Sequence, residues 1–498
     1  MTEAVSPRTR TPGNGGANVR QLALLWGPPV TSAIIYFAPS GLTAPERGVA
    51  GLTLWMVIWW LSEAVPLGAT SLLPLAVLPA LGVLPAKDAA APYANELIFL
   101  FMAGFLLARA LEHWRAHERL AFGIVARTGL DGPRMLLGLM LATGFLSMWI
   151  SNTATAAMMY PIALALGSFV PAGEAGDKTR AALMLGIAFA ASIGGLGTLI
   201  GTPPNLIMAA AASSIAGRPI GFGEYMLIGV PAVLILLPAA WGVLVWGSCR
   251  GMASAGAGAE GMIAERRSKL GPLHGAERRV ILIFLLAASA WIMREPKLLG
   301  SVRIPGLVDL LPGLTDTGIG ISAALLLFVV SAGGGHPRKL LTWTEAREIP
   351  WDVLLLFGGG LSLAAGMEAS GLTTRLANTL GGLAGLPHVV IYLALAALIV
   401  CLSELASNTA VAALMMPLVA SLGGAVGIPP LTLIVVTGMA ASAGFALPVA
   451  TPPNAIAFGS GMVPVRTMAK AGLWLDLIAI IVVTILALTL VPLLLGNA

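Results

Sequence analysis

The chain has 498 residues, of which 57% are hydrophobic and only 10% charged, with a formal net charge of +5 and a mean hydropathy of +0.90. Roughly a quarter of the residues in a soluble domain are charged, so this composition excludes one and makes lipid the solvent for most of the chain. Lys and Arg stand in short loops beside apolar runs, the pattern of the positive-inside rule, which sets aside nucleic acid as a partner.

Apolar runs of about 20 residues, enough for a helix to cross a ~30 Å hydrocarbon core, recur along the sequence. Lipid offers the backbone no hydrogen bonds, and the runs are continuous rather than alternating, so the expected fold is all-α and polytopic. Residues 1–20, polar and carrying Arg8, Arg10 and Arg20, read as a disordered cytoplasmic tail before a retained helix. The first half, 21–250, contains a segment 134–170 and a segment 180–216, each too long for one crossing and too short for two ordinary ones. A polar, Gly-rich and then charged stretch, 251–277, reads as the linker to a second half, 278–498, with corresponding segments 387–422 and 430–459. Cys249 and Cys401 are too far apart in sequence to suggest a disulfide framework or a metal cluster.

The two halves repeat each other. SMWISNTATAAMMYP at 147–161 aligns without a gap to SELASNTAVAALMMP at 403–417, with 9 of 15 positions identical; GTPPN at 201–205 matches ATPPN at 450–454, and LFMAGFLLARA at 100–110 matches LFGGGLSLAAG at 356–366. Basic residues bracket 134–170 (Arg127, Arg134, Lys178, Arg180), whereas 387–422 is followed by the uncharged GGAVGIPPL. The flanking charge therefore predicts inverted repeats, each with a re-entrant hairpin (134–170, 387–422) and a broken helix (180–216, 430–459).

Each hairpin carries Ser-Asn-Thr, at 151–153 and 407–409, between two apolar arms. A turn there frees carbonyls at the end of one arm, which suit a hard cation, and N–H groups at the start of the next, which suit an anion. The prolines of GTPPN and ATPPN remove two consecutive amide donors and break a helix, exposing carbonyls at Gly201 or Ala450 and presenting the hydroxyls of Thr202 and Thr451. No Lys or Arg lies between Arg134 and Lys178 or between Arg375 and Arg466. An anion held at these breaks would be neutralised by helix dipoles, amides, hydroxyls and bound cations, which points to sodium coupling.

Glu63 and Glu404 lie in apolar surroundings and are expected to make structural hydrogen bonds. The string HWRAH at 113–117 lacks the glutamate of a zinc protease, and neither GxSxG nor a Walker loop occurs, so an enzyme or an ATP-driven pump has no support.

The paired SNT triplets, the paired TPPN breaks and WWLSEAVPLGATSLLP at 59–74 together resemble the divalent anion sodium symporter family, the sodium dicarboxylate carriers, over nearly the whole chain. The resemblance implies Na⁺-coupled uptake of C4-dicarboxylates (succinate, malate, fumarate) by an elevator-type homodimer in a bacterial inner membrane, with a cytoplasmic N-terminus and no organic cofactor. By position it implies one sodium site from Ser147, Ser151, Asn152 and Gly201, and another from Ser403, Ala406, Asn408 and Ala450. Substrate carboxylates would meet Asn152 and Thr153 at one tip and Ser407, Asn408 and Thr409 at the other, with Thr202, Thr451 and Pro452 completing the pocket. Family members often carry Thr where Ser403 stands, though a hydroxyl is kept. A sodium-independent exchanger of the same fold and an anion channel are the alternative readings.

Overall fold

A computed structural model describes residues 16–38, 41–256, 258–273, 275–299, 302–333, 336–380, 382 and 385–496. The first half contains α1 (Gly16–Phe37), α2 (Ala44–Ser62), α3 (Leu67–Ala80), α4 (Glu96–His113), α5 (Ala116–Thr128), α6 (Gly132–Ser147), α7 (Asn152–Ser168), α8 (Glu174–Gly195), α9 (Pro203–Ser214) and α10 (Phe222–Gly242). α11 (Ala259–Lys269) lies between the halves. The second half contains α12 (Gly275–Met293), α13 (Asp316–Val329), α14 (Trp351–Ala369), α15 (Leu372–Leu380), α16 (His388–Leu405), α17 (Asn408–Val426), α18 (Pro430–Ala440), α19 (Pro452–Gly459) and α20 (Val465–Leu488). Two small antiparallel ribbons, β1 (Lys297–Leu299) with β2 (Val302–Ile304) and β3 (Ser331–Gly333) with β4 (His336–Lys339), bracket α13.

Among the described residues, six helical stretches are long and apolar enough to span a bilayer: Ala86–His113, Phe222–Ser248, Trp351–Ala369, His388–Leu405, Asn408–Val426 and Val465–Leu495. Helix α1 starts at Gly16, inside the stretch read as a tail, and residues 1–15 lie outside the described residues. The stretch read as a linker holds α11, which buries Ala259 and Ile263 and leaves Arg266, Arg267 and Lys269 exposed, an amphipathic division that gives a charged segment reason to fold.

Helix ends fall where the sequence supplies a terminator. Asn95 caps α4 by accepting the Leu97 N–H at 3.0 Å, and Thr43 with Glu46 closes a capping box on α2. At 134–170 and 387–422 the apolar run divides into two helices at the Ser-Asn-Thr triplets, because Ser151 and Ser407 adopt extended N-cap conformations. At 180–216 and 430–459 the helix stops at Gly195 and Ala440 and resumes only at Pro203 and Pro452, where proline occupies the first helical position.

The two halves interlock. α8 packs against α19, and α9 packs against α18, so each broken helix lays its first segment on the second segment of the other. The second hairpin arms follow the same rule, with α7 on α19 and α17 on α9. From Ala181 to Gly195 every residue of α8 is buried, which leaves no face for lipid. Its small residues permit that approach: a Cβ on Gly194 would stand 2.2 Å from the Gly144 carbonyl oxygen of α6. At the centre, Phe189 of α8 meets Phe445 edge to face, ring centroids 5.6 Å apart.

Candidate binding site at the paired helix breaks

A cavity of about 840 Å³ gathers the two Ser-Asn-Thr turns and the two Thr-Pro-Pro starts, although they lie some 250 residues apart in sequence. Ser151, Asn152, Thr153 and Thr202 line it from the first half. Ala406, Ser407, Asn408, Thr409, Ala450, Thr451 and Pro452 line it from the second. Four helix N-termini, those of α7, α9, α17 and α19, thus end at one space, and helix N-termini carry partial positive charge. No lysine or arginine is among the described lining residues, and the charges present are the carboxylates of Glu63 and Asp352.

Ser147, Gly201 and Ser403 do not line the cavity. They are buried behind it, with Ser147 and Ser403 fully inaccessible. Ser147 Oγ lies 2.8 Å from Asn152 Oδ1 and 2.7 Å from the Ala191 carbonyl oxygen; a hydroxyl has one proton for these two acceptors, so the cluster is rich in oxygen and short of hydrogen. Gly195 completes it, since a Cβ there would fall 2.4 Å from Asn152 Oδ1. In the second half Ser403 Oγ donates to the Ala441 carbonyl at 3.0 Å, the same serine-to-helix contact.

Sequence reasoning missed the residues that hold the breaks open. Asn205 Nδ2 donates to the carbonyls of Gly195 and Thr198, both at 2.8 Å, and Asn454 Nδ2 donates to those of Leu447 at 3.0 Å and Gly444 at 3.5 Å. Both asparagines are fully buried, and each leaves its Oδ1 without a partner. Ser192 Oγ, Ser442 Oγ and Asn408 Oδ1 are likewise buried and unpartnered. The signals were present: Asn closes both TPPN motifs, and AAS at 190–192 recurs at 440–442. Unpaired buried oxygens cost about 1–3 kcal/mol each, and a bound cation would remove that cost.

The second break has a further brace. Glu404 accepts the Ala446 and Leu447 N–H groups, each at 2.7 Å, and Asp476 of α20 accepts that of Phe445 at 3.1 Å. The structural role expected of Glu404 is thus observed. Glu63 differs: it follows the end of α2 with a left-handed φ of 49°, is exposed like Leu61 and Ser62 before it, and lines the cavity. Asp476, a lone acid in an apolar run, was the signal for the third carboxylate.

The profile of the sodium:sulfate symporter transmembrane region matches residues 21–496. The chain belongs to this symporter family. Its resemblance to the divalent anion sodium symporters, drawn from the motifs, is therefore borne out. Among its relatives is the sodium-dependent dicarboxylate transporter SdcS of Staphylococcus saprophyticus subsp. saprophyticus, 40% identical over 493 residues, which covers 97% of this chain and 94% of that protein. SdcS of Staphylococcus aureus strain bovine RF122 / ET3-1 is 38% identical over 476 residues, covering 93% and 89%. These relatives are transporters and not enzymes. Two solved transporters share the polytopic helical fold: YdaH of Alcanivorax borkumensis (14% identity, TM-score 0.54, covering 88% of this chain and 97% of that one) and MtrF of Neisseria gonorrhoeae (13%, 0.54, 94% and 94%). This symporter-family chain is accordingly a multi-pass membrane protein.

Proposed function

We propose that this symporter-family chain couples sodium entry to uptake of a small dicarboxylate, with succinate, malate and fumarate as its C4 substrates. The observation that carries the reading is a single cavity where both Ser-Asn-Thr turns meet both Thr-Pro-Pro starts without a basic side chain. A dianion there is held by hydroxyls, side-chain amides and helix N-termini, and its charge calls for cations bound close by. The buried, unpartnered oxygens at the breaks suit Na⁺, a hard cation that favours oxygen ligands, and the likeness to the sodium-dependent dicarboxylate transporters SdcS supports both ion and substrate class.

In this reading the first sodium site comprises Ser147, Ser151, Asn152 and Gly201, with Ala191 and Asn205 added from the structure. The second comprises Ser403, Ala406, Asn408 and Ala450, with Asn454 added. Asn152, Thr153, Thr202, Ser407, Asn408, Thr409, Thr451 and Pro452 face the dicarboxylate. The two hairpins enter the bilayer from opposite faces as inverted repeats, and a homodimer works by elevator-type alternating access without an organic cofactor. The cavity also reaches Pro350 and Asp352, next to the basic stretch Arg338–Arg347, so it faces the cytoplasm, as does the N-terminus of a chain set in a bacterial plasma membrane.

The test is radiolabelled succinate uptake into proteoliposomes with and without an inward Na⁺ gradient. Saturable uptake that collapses without sodium is expected. Counterflow indifferent to sodium would assign the chain to exchange instead, and ohmic current would assign it to a channel.

A further inference from the structure

We propose that a seam beside the first hairpin binds an anionic phospholipid of the surrounding bilayer, one acyl chain in an apolar cavity and the phosphate at Arg127. The inference is independent of the transported substrate.

The cavity, about 440 Å³, is separate from the one at the helix breaks and within the range of small-molecule pockets. Four elements wall it, α4 contributing Leu111. His117 and Arg127 belong to α5, Phe145 and Trp149 to the end of α6 and the turn after it, and Phe284 and Leu285 to α12. Trp149 meets Phe284 edge to face, ring centroids 5.1 Å apart, and so joins the hairpin to the second half beside this space.

Apolar walls alone would be wetted by any lipid chain, so the preference for an anionic headgroup rests on the charge at the lip. His117 Nδ1 and Trp149 Nε1 are buried without a partner in the cavity wall, and an acyl chain offers them no hydrogen bond.

The charges around the cavity are unbalanced in one place. Arg119 is neutralised by Glu277 through contacts of 2.7 and 3.0 Å, and Arg115 is neutralised by Glu118. Arg127 makes no ion pair among the described residues; it donates only to the Gly123 carbonyl of its own helix, at 2.8 Å, and is exposed. A guanidinium at the lip of an apolar slot between helices offers a phosphate a charged, hydrogen-bonding partner while the slot takes the chain.

The test uses the full chain in phosphatidylcholine vesicles to which phosphatidylglycerol or phosphatidylcholine with brominated acyl chains is added. Bromine quenches nearby indoles, and Trp149→Phe identifies the Trp149 share among the 12 tryptophans. Brominated phosphatidylglycerol is expected to quench that share at lower lipid fractions than brominated phosphatidylcholine. Arg127→Gln, at an exposed position that leaves folding intact, is expected to weaken the preference about fivefold, the effect of one interfacial arginine. Native mass spectrometry should report fewer retained phosphatidylglycerol molecules on the same variant. Equal quenching by the two lipids, or a preference unchanged in Arg127→Gln, would mean ordinary annular lipid and overturn the proposal.

Discussion

Asn205 and Asn454 occupy the same post in the two halves, each donating its side-chain amide to two carbonyls that a helix break has released. The asparagines are 249 residues apart, and so are the carbonyl pairs they hold, Gly195 with Gly444 and Thr198 with Leu447. Replacing either with Ala strands two carbonyls and should lower stability by roughly 2–4 kcal/mol. Thermal unfolding in detergent, with and without Na⁺, checks this: the variants should melt earlier and lose part of the stabilisation that sodium gives.

Ser147 and Ser403 sit behind the cavity with their hydroxyls on the carbonyls of Ala191 and Ala441. Ser147→Ala or Ser403→Ala should raise the Na⁺ concentration for half-maximal uptake about tenfold, equivalent to ~1.4 kcal/mol for one lost oxygen ligand. Succinate affinity at saturating sodium should change far less. A sodium dependence unaltered in both variants would remove these serines from the cation sites.

Gly201 and its counterpart Ala450 predict opposite outcomes for a single methyl group. A Cβ on Gly201 would lie 2.5 Å from the Gly195 carbonyl oxygen, which Asn205 already holds. Gly201→Ala should therefore distort the first break and reduce uptake at least tenfold, whereas Ala450→Gly should retain most activity because the second break already accommodates the larger residue. Uptake rates normalised to folded protein decide the matter.

Glu404 holds two amides with two carboxylate oxygens. In Glu404→Gln the amide nitrogen would face one of these N–H donors, and the loss should be roughly 2–3 kcal/mol. The variant should unfold at lower temperature yet keep the increment of stability that substrate adds, whereas a role confined to substrate binding would leave the substrate-free melting temperature unchanged and remove that increment.

Outside the spanning helices, Glu345 accepts the Thr342 N–H at 2.9 Å, the Thr342 hydroxyl at 2.8 Å and Arg338 at 2.8 Å. Burial pushes its carboxyl up, but the Thr342 and Arg338 bonds outweigh that and bring it down from 4.5 to about 2. A carboxylate with a depressed folded value stabilises fully above its unfolded value and loses that contribution as pH falls. Glu345→Gln should cost roughly 2 kcal/mol at neutral pH. The difference from the parent should shrink as pH is lowered from about 4.5 towards 2, as denaturation across a pH series would measure.

Much of this protein was legible without coordinates. A chain of 57% hydrophobic residues has to fold as helices in lipid, and the recurrence of Ser-Asn-Thr and Thr-Pro-Pro-Asn in one order announced two repeats whose helices break at matching points. Proline acts through its own ring and missing N–H, and Ser151 through its hydroxyl, which accepts the Ala154 N–H, so the breaks at Ser151, Pro203 and Pro452 can be read locally; Ser407 stands at the matching N-cap position without a side-chain cap bond.

Only the tertiary structure decided which residues face the cavity and which stand behind it. Ser147 and Asn152 belong to one triplet region, yet only Asn152 reaches the cavity, because Ser147 turns to a carbonyl of α8. Glu63 and Glu404 look alike as acids in apolar runs, but one ends a helix at the cavity wall and the other ties down amides more than 40 positions along the chain. Asn205 and Asn454 acquire their role from carbonyls that become free only once the breaks form, and the meeting of the two halves depends on the crossing of α8 with α19 and α9 with α18. Local preference fixes where a helix stops; the partners of a buried polar group are set by whichever backbone packs against it, and that is a property of the folded whole.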